Sequence, residues 1–259
     1  MPFIHIDKKD QYAIVQINRG KVNAINHQLV RELTEAFLQM ENDDSVGGVI
    51  LTGIPRFFSA GLDVIELYGY DEDQIRNFMG DFGSLHVQMA RFPKPLVCAI
   101  NGHSPAGGTV LALTADYRIM AEGDRYSMGL NEVAVNILIS QNLVNAYSYW
   151  IGSGKAHRYI LEGKLLNTQE ALACGLVDEV VPESELLAKA EKKMKHYLSA
   201  MPEIFGPTKQ MLRKSWLEQI SDKGVLDWEE SLRIWWLPET RRRMKAFVDQ
   251  LTGAKQPAG

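Results

Sequence analysis

Residues 101–132 read NGHSPAGGTVLALTADYRIMAEGDRYSMGLNE, and they follow an apolar run at residues 95–100 that predicts a buried strand. The small residues at 104–108, here called the second turn, lead into an apolar segment that predicts a helix ending near Asp116. The first N–H groups of such a helix lack internal partners and can bind an oxygen that carries or develops negative charge. A glycine pair that packs a helix against a sheet is the simpler alternative for this turn alone.

A similar arrangement lies upstream. An apolar strand predicted at residues 48–52 precedes Phe-Phe-Ser-Ala-Gly-Leu-Asp at residues 57–63, here called the first turn. Small residues at the end of a strand again allow the backbone to face a ligand. The two turns can therefore supply two converging N–H donors.

Four segments in this order resemble the crotonase (enoyl-CoA hydratase/isomerase) superfamily. They are FSAGLD at 58–63, AINGHSPAGG at 99–108, GLNE at 129–132 and ALACGLVDEVV at 171–181. The resemblance runs from about Phe3 to Phe247. It implies an α/β fold built as a spiral of β-β-α units with a C-terminal helical region, and an acyl-CoA thioester as the substrate.

The order of elements read from the residues agrees with such a unit. Residues 3–7 and 12–18 predict a hairpin, Asn26 and Thr168 predict helix caps, and residues 49–52 predict the next strand. Residues 71–91 predict an amphipathic helix. We expect residues 1–200 to form the spiral core with the CoA and oxyanion sites, and 201–259 to form the C-terminal helical region.

The C-terminal region carries many large apolar residues, which predicts that it is buried. They are Met211, Leu212, Trp216, Leu217, Leu226, Trp228, Leu232, Trp235, Trp236 and Leu237. The resemblance implies that this region covers the acyl pocket and builds subunit contacts. By the resemblance, a homotrimer or a dimer of trimers is expected.

Composition limits the partners of the chain. The 259 residues are 46% hydrophobic with a net charge of −4, which predicts one soluble α/β domain without a basic surface for nucleic acid. Cys98 and Cys174 are interpreted as core residues, and no apolar run reaches membrane-spanning length. We therefore expect a cytoplasmic protein that binds neither a membrane, nor nucleic acid, nor a metal.

The resemblance also assigns residues to the site. The thioester oxygen is expected to bind the N–H groups of Leu62 and Gly107, and the adenine is expected to contact backbone groups around the first turn and in residues 20–24. The substrate-binding set is Lys21, Val22, Ala24, Ala60, Leu62, Asp63, Val64, Gly107 and Asn131. Lys21 is the phosphate candidate, with a merely solvated lysine as the alternative. No cofactor is expected beyond the coenzyme A of the substrate.

The acid–base residues decide the expected reaction. The family places carboxylates at two positions, which fall on Val110 and Glu132 in this sequence, so only the second carboxylate is present. Hydration shares its proton transfers between two glutamates, whereas moving a double bond from the β,γ to the α,β position needs one base. The GLNE and PAGG contexts most resemble the 3,2-trans-enoyl-CoA isomerases. Partial burial is expected to raise the pKa of Glu132, and a solvated loop carboxylate is the simpler alternative.

Other interpretations stay open at this level. A hydratase, decarboxylase or hydrolase acting on acyl-CoA, or a non-catalytic acyl-CoA-binding or RNA-associated homologue, are the alternatives. Residues 133–140 depart from the family pattern, so the acyl pocket is expected to have its own shape. His86 is interpreted as structural, His103 is the better candidate to line a pocket, and Tyr147 and Trp150 fit either the acyl environment or the core.

Overall fold

The computed structural model describes residues 2–219 and 225–253, with the backbone alone for 225–228. The strands in these ranges are β1 (Ile4–Lys8), β2 (Ala13–Ile17), β3 (Val49–Thr52), β4 (Arg56–Phe57), β5 (Leu96–Ile100), β6 (Gly102–Pro105), β7 (Tyr117–Ala121), β8 (Ser127–Gly129), β9 (Leu166–Asn167) and β10 (Glu179–Val181). The helices are α1 (His27–Asn42), α2 (Val64–Tyr68), α3 (Glu72–Arg91), α4 (Gly107–Ala112), α5 (Gln141–Ile151), α6 (Ser153–Glu162), α7 (Thr168–Cys174), α8 (Leu186–Leu198), α9 (Pro202–Gln219), α10 (Val225–Trp235) and α11 (Pro238–Thr252). Short 3₁₀ turns lie at Val133–Val135 and Glu183–Glu185.

Two sheets organise the chain. The larger has the order β1-β2-β3-β5-β7-β10, in which β1 pairs antiparallel with β2 and the other neighbours are parallel. The smaller has the order β4-β6-β8-β9. Each of β3, β5 and β7 in the large sheet is followed by a short strand in the small one, and helices follow these pairs. The predicted hairpin and the β-β-α order are confirmed.

The short strands of the small sheet were not predicted. The strand predicted at residues 95–100 does end at Ile100, but Gly102 immediately begins the new strand β6. Arg56 pairs with Gly102 so closely that a Cβ there would overlap the Arg56 backbone. The glycine therefore permits a close strand pair and does not end the sheet structure.

The helix caps agree in part with the sequence. Asn26 caps α1 through its side-chain oxygen, which accepts from Leu29 N at 3.0 Å, and α3 starts at a capping box between Asp71 and Gln74. The cap predicted at Thr168 is wrong, since the Asn167 side chain accepts from the third helical residue and Thr168 is the first residue of α7.

Helix α4 ends at Ala112, earlier than predicted. Beyond it the backbone bonds tighten to Thr114 N–Leu111 O and Ala115 N–Ala112 O, three residues apart, while the Thr114 hydroxyl also binds Leu111 O and the Trp150 indole binds Leu113 O. Asp116 lies beyond the end of α4, and its carboxylate makes a tertiary contact. It binds the buried Lys209 ammonium at 2.7 Å and the Arg213 guanidinium at 2.7 Å, which fastens α9 to the core.

The C-terminal helices cover one side of the core, with α10 against α3 and α11 against α2. Trp216, Leu217, Leu232 and Trp235 are buried as predicted. The burial predicted for Met211 and Leu212 does not occur within the chain, since they are 74% and 69% exposed. The side chains of residues 226 and 228, also predicted to be buried, lie outside the described residues.

No helix within the described ranges is both long enough and apolar enough to cross a membrane.

Candidate active site

A cavity of about 540 Å³ lies where the two turns meet the loop after β8. Of the residues predicted to bind substrate, it brings together Val22, Ala24, Ala60, Leu62, Asp63, Val64, Gly107 and Asn131, and it also contains Val110 and Glu132. Lys21 is exposed and does not line this cavity. Its phosphate contact stays a prediction, as do the individual roles of the other residues.

The first turn directs one backbone donor. Ile25 N donates to Gly61 O at 2.8 Å, and Asp63 N donates to Ile25 O at 2.8 Å. Because the C=O and N–H of one trans peptide group point in opposite directions, the Leu62 N–H points away from Ile25. This N–H has no acceptor among the described residues, and Leu62 lines the cavity.

The second turn directs a second backbone donor. Ala106 O accepts the first bond of α4 from Val110 N at 2.9 Å, so the Gly107 N–H of the same peptide group points out of the helix. In the described part of the chain this N–H also lacks an acceptor. Ala106 holds the turn with φ 44° and ψ −116°, a backbone conformation that costs free energy in a residue with a Cβ.

The loop after β8 supplies the carboxyl group. Glu132 immediately precedes the 3₁₀ turn Val133–Val135, and its side chain is buried in the cavity wall with only 8% of the residue exposed. Its Oε2 atom has no hydrogen-bond partner in the described structure. Because burial penalises the charged form, the pKa of Glu132 rises from 4.5 to about 7. The solvated-loop alternative for this residue is therefore wrong.

The second carboxyl group in the cavity wall is already engaged. Asp63 Oδ1 accepts from Glu66 N at 3.0 Å, and Asp63 Oδ2 binds the Arg19 guanidinium at 2.7 Å. Val110 occupies the position at which the family's other carboxylate is expected, and it lines the same cavity. Among the described lining residues, Glu132 is therefore the carboxyl group left free for proton transfer.

The remaining wall is mostly apolar, and its lining includes no described lysine, arginine or histidine. Its apolar residues include Ile75, Met79, Phe82, Leu143, Leu232, Trp235, Phe247 and Leu251. Leu232 and Trp235 belong to the C-terminal region that was expected to cover the acyl pocket, whereas Ile75, Met79 and Phe82 on α3 were not identified as lining residues. Helical periodicity marks the buried face of α3, but it does not separate residues that face a cavity from residues that face a packed neighbour.

Four aromatic candidates from the sequence lie outside this cavity lining. His86 is buried against Trp216, and burial lowers its pKa to about 4, so the ring is neutral. The His103 ring lies between those of Phe57 and Tyr126, with centroid distances of 5.2 and 5.4 Å. Tyr147 and Trp150 belong to the packed interior, where Arg118 stacks 3.7 Å from the Trp150 ring. From that segment Ser140 and Leu143 reach the cavity.

The fold and the site together define an α/β protein with two converging backbone donors and one buried carboxyl group beside an apolar cavity. The enoyl-CoA hydratase/isomerase family matches residues 7–230. Mitochondrial enoyl-CoA delta isomerase 1 of Mus musculus is 37% identical over 216 residues, which are 83% of this chain and 75% of that protein. Short-chain-enoyl-CoA hydratase of Clostridium acetobutylicum is 29% identical over 248 residues, covering 95% and 94%.

The crystal structure of human mitochondrial delta3-delta2-enoyl-CoA isomerase superposes with a TM-score of 0.91 at 29% identity, covering 98% of this chain and all of that one. The chain therefore belongs to the enoyl-CoA hydratase/isomerase family, the crotonase superfamily that its motifs resemble. The crotonase-like α/β spiral with a C-terminal helical region is confirmed.

Proposed function

We propose that this protein is an acyl-CoA isomerase that shifts the double bond of a 3-enoyl-CoA to the 2-position. The observation that carries the proposal is the buried Glu132 carboxyl group, whose Oε2 is unpaired, in the same cavity lining as two backbone N–H groups without acceptors among the described residues. A base and an oxyanion site are the two requirements for removing a weakly acidic proton next to a thioester carbonyl.

In the proposed reaction, the thioester oxygen binds the N–H groups of Leu62 and Gly107. The Glu132 carboxylate removes a proton from C2, and the electron pair spreads over the C2–C4 system and onto the thioester oxygen. The carboxylic acid then returns the proton to C4 while the C2–C3 double bond forms. Each backbone donor is typically worth about 3–4 kcal/mol of barrier, and a placed base contributes roughly 10²- to 10⁴-fold in rate.

The raised pKa of Glu132 supports this use. A group with a pKa of about 7 accepts and returns a proton at neutral pH with a small driving force in either direction. The apolar wall supports an acyl chain as the ligand, because it offers few polar partners to a hydrophilic substrate. The reaction consists of proton transfer alone, so the proposal includes no separate cofactor.

Hydration is the second candidate, since the relatives include hydratases. Addition of water needs a group to activate the water and a group to handle the second proton. Val110 provides neither, and both oxygens of Asp63 are engaged by Arg19 and by the Glu66 backbone. These contacts favour the isomerase over the hydratase. Decarboxylation, thioester hydrolysis and ligand binding without turnover lack an observation that favours them.

We also propose that the chain forms a homotrimer or a dimer of trimers. Leu161 on α6 and Met211 and Leu212 on α9 are 62%, 74% and 69% exposed, and a partner surface would remove them from water. Sedimentation equilibrium tests this: a monomer at micromolar concentration would contradict it. A cytoplasmic location stays a prediction.

The reaction is tested by the products of the purified protein. We expect 3-enoyl-CoA thioesters to yield 2-enoyl-CoA, with little 3-hydroxyacyl-CoA formed from either isomer over several chain lengths. Hydration of 2-enoyl-CoA at a rate comparable to isomerisation would identify a hydratase. Tight acyl-CoA binding without any product would identify a non-catalytic homologue.

A further inference from the structure

The Arg19 side chain connects three parts of the chain. Its Nη1 donates to Ala24 O and to Asp63 Oδ2, both at 2.7 Å, and its Nη2 donates to Glu66 Oε2 at 2.8 Å. The Arg19 and Asp63 side chains are only 17% and 15% exposed. One guanidinium therefore ties the segment after β2 to the end of the first turn and to the start of α2.

Glu66 extends this connection. Its carboxylate also accepts from Asn26 Nδ2 at 2.9 and 3.1 Å and from the Tyr70 hydroxyl at 2.6 Å. Asn26 is the residue that caps α1. The network thus anchors the residues on both sides of Ile25, with Ala24 O bound by Arg19 and the Asn26 side chain bound by Glu66.

Ile25 is the residue that orients the first oxyanion donor. Its N–H and C=O bind Gly61 O and Asp63 N, and this pair of bonds sets the direction of the Leu62 N–H. A rotation of the peptide group would turn this donor away from the thioester oxygen. Loss of a donor at that position is costly because the stabilisation is needed mainly in the transition state.

We propose that Arg19 is a positioning residue, which holds the Leu62 N–H in the direction required for oxyanion binding by fixing Ile25 and Asp63. The inference rests on the proposed function, in which Leu62 binds the thioester oxygen. Arg19 does not line the cavity, so it acts through these residues and not on the substrate. The guanidinium reaches Ala24 O and Asp63 from one nitrogen and Glu66 from another, whereas a lysine ammonium offers a single nitrogen.

The test compares wild type, Arg19→Lys, Glu66→Gln and the control Arg242→Lys, whose arginine forms an exposed pair with Glu239 on α11. Acetoacetyl-CoA is the probe, because its enolate absorbs in the near ultraviolet and carries the charge that the oxyanion site should stabilise. The apparent pKa of bound acetoacetyl-CoA is measured by titration. The Kd of saturated hexanoyl-CoA, the kcat for 3-enoyl-CoA and the melting temperature are measured for the same proteins.

We expect Arg19→Lys to raise the apparent pKa of bound acetoacetyl-CoA by about 1 and to lower kcat about tenfold, with the Kd of hexanoyl-CoA within about twofold of wild type. Glu66→Gln should act in the same direction if Arg19→Lys does not fold, and Arg242→Lys should match wild type.

An unchanged enolate pKa in folded Arg19 and Glu66 variants, or equal weakening of the binding of acetoacetyl-CoA and hexanoyl-CoA, would overturn the proposal. The enolate titration needs no isomerisation, so a failure of the proposed reaction is distinguishable from a failure of the positioning role.

Discussion

Gly61 and Gly107 lie in direct contact across the two turns. A Cβ built on Gly61 would lie 3.4 Å from Gly107 N, and one built on Gly107 would lie 3.4 Å from Gly61 Cα. Gly61 also has a φ of +87°. A side chain on either glycine would crowd this contact, so the spacing of the two proposed oxyanion donors depends on backbone packing.

The first prediction concerns this contact. Gly61→Ala should lower kcat by about 10²-fold, since the new Cβ meets Pro105 O at 3.1 Å and Ala106 at 3.2 Å and pushes the donors apart. Steady-state kinetics measure the effect. Gly152→Ala is the matched control, because Gly152 has a φ of +81° but open space around it. Equal kcat values for the two variants would contradict the role of the contact.

The second prediction is a pH–rate profile. The proposed base acts as a carboxylate, and the pKa of Glu132 is about 7. The value of kcat/KM should therefore rise with pH and level off above about 7, falling about tenfold for each pH unit below it. A plateau that extends down to pH 5 would mean that the base has an ordinary carboxyl pKa.

The third prediction links the same group to stability. The pKa of Glu132 is higher in the folded protein than its ordinary value of 4.5, so ionisation opposes folding. This penalty is absent below the unfolded pKa, grows as the pH rises from 4.5 to about 7, and is complete above that. Glu132→Gln should thus gain about 2 kcal/mol more in free energy of unfolding at pH 8 than at pH 5, relative to wild type at each pH. Urea titrations measure this, and a gain independent of pH would refute the assigned pKa.

The fourth prediction concerns the missing carboxylate. Val110→Glu should add measurable hydration of 2-enoyl-CoA, because it introduces a second carboxyl group into the cavity that Glu132 lines. Val110→Gln is the control, since it has the same shape without the ionisable group. The prediction is wrong if Val110→Gln hydrates 2-enoyl-CoA at the same rate as Val110→Glu, measured as formation of 3-hydroxyacyl-CoA.

The sequence predicted the site better than its surroundings. Leu62, Gly107 and Glu132 each lie in a short motif that the family resemblance marks, and the structure places all three in the lining of one cavity. Their roles stay predictions. The 3₁₀ turn that follows Glu132 packs against an element distant in sequence. Gly163, with a φ of +56°, comes so close to Ala134 that a Cβ there would lie 2.6 Å from the alanine Cβ, and this packs the end of α6 onto the 3₁₀ turn after Glu132. No local pattern contains that contact.

Arg19 was missed for a related reason. Its carboxylate partners lie 44 and 47 residues further along the chain, and an arginine beside glycine in a loop has no periodicity that marks it. The short strands β4, β6 and β8 were missed because two to four residues carry too little alternation to be recognised. Long apolar strands and amphipathic helices, such as β5 and α3, carried enough pattern to be placed.

The most direct test of the central claim is kcat for 3-enoyl-CoA in Glu132→Gln. We predict a fall of about 10²- to 10⁴-fold, with the Kd of a saturated acyl-CoA within about twofold of wild type. Glu35→Gln changes an exposed glutamate on α1 in the same way and should behave as wild type. A Glu132→Gln protein that isomerises at the wild-type rate would contradict the claim that this carboxyl group transfers the proton.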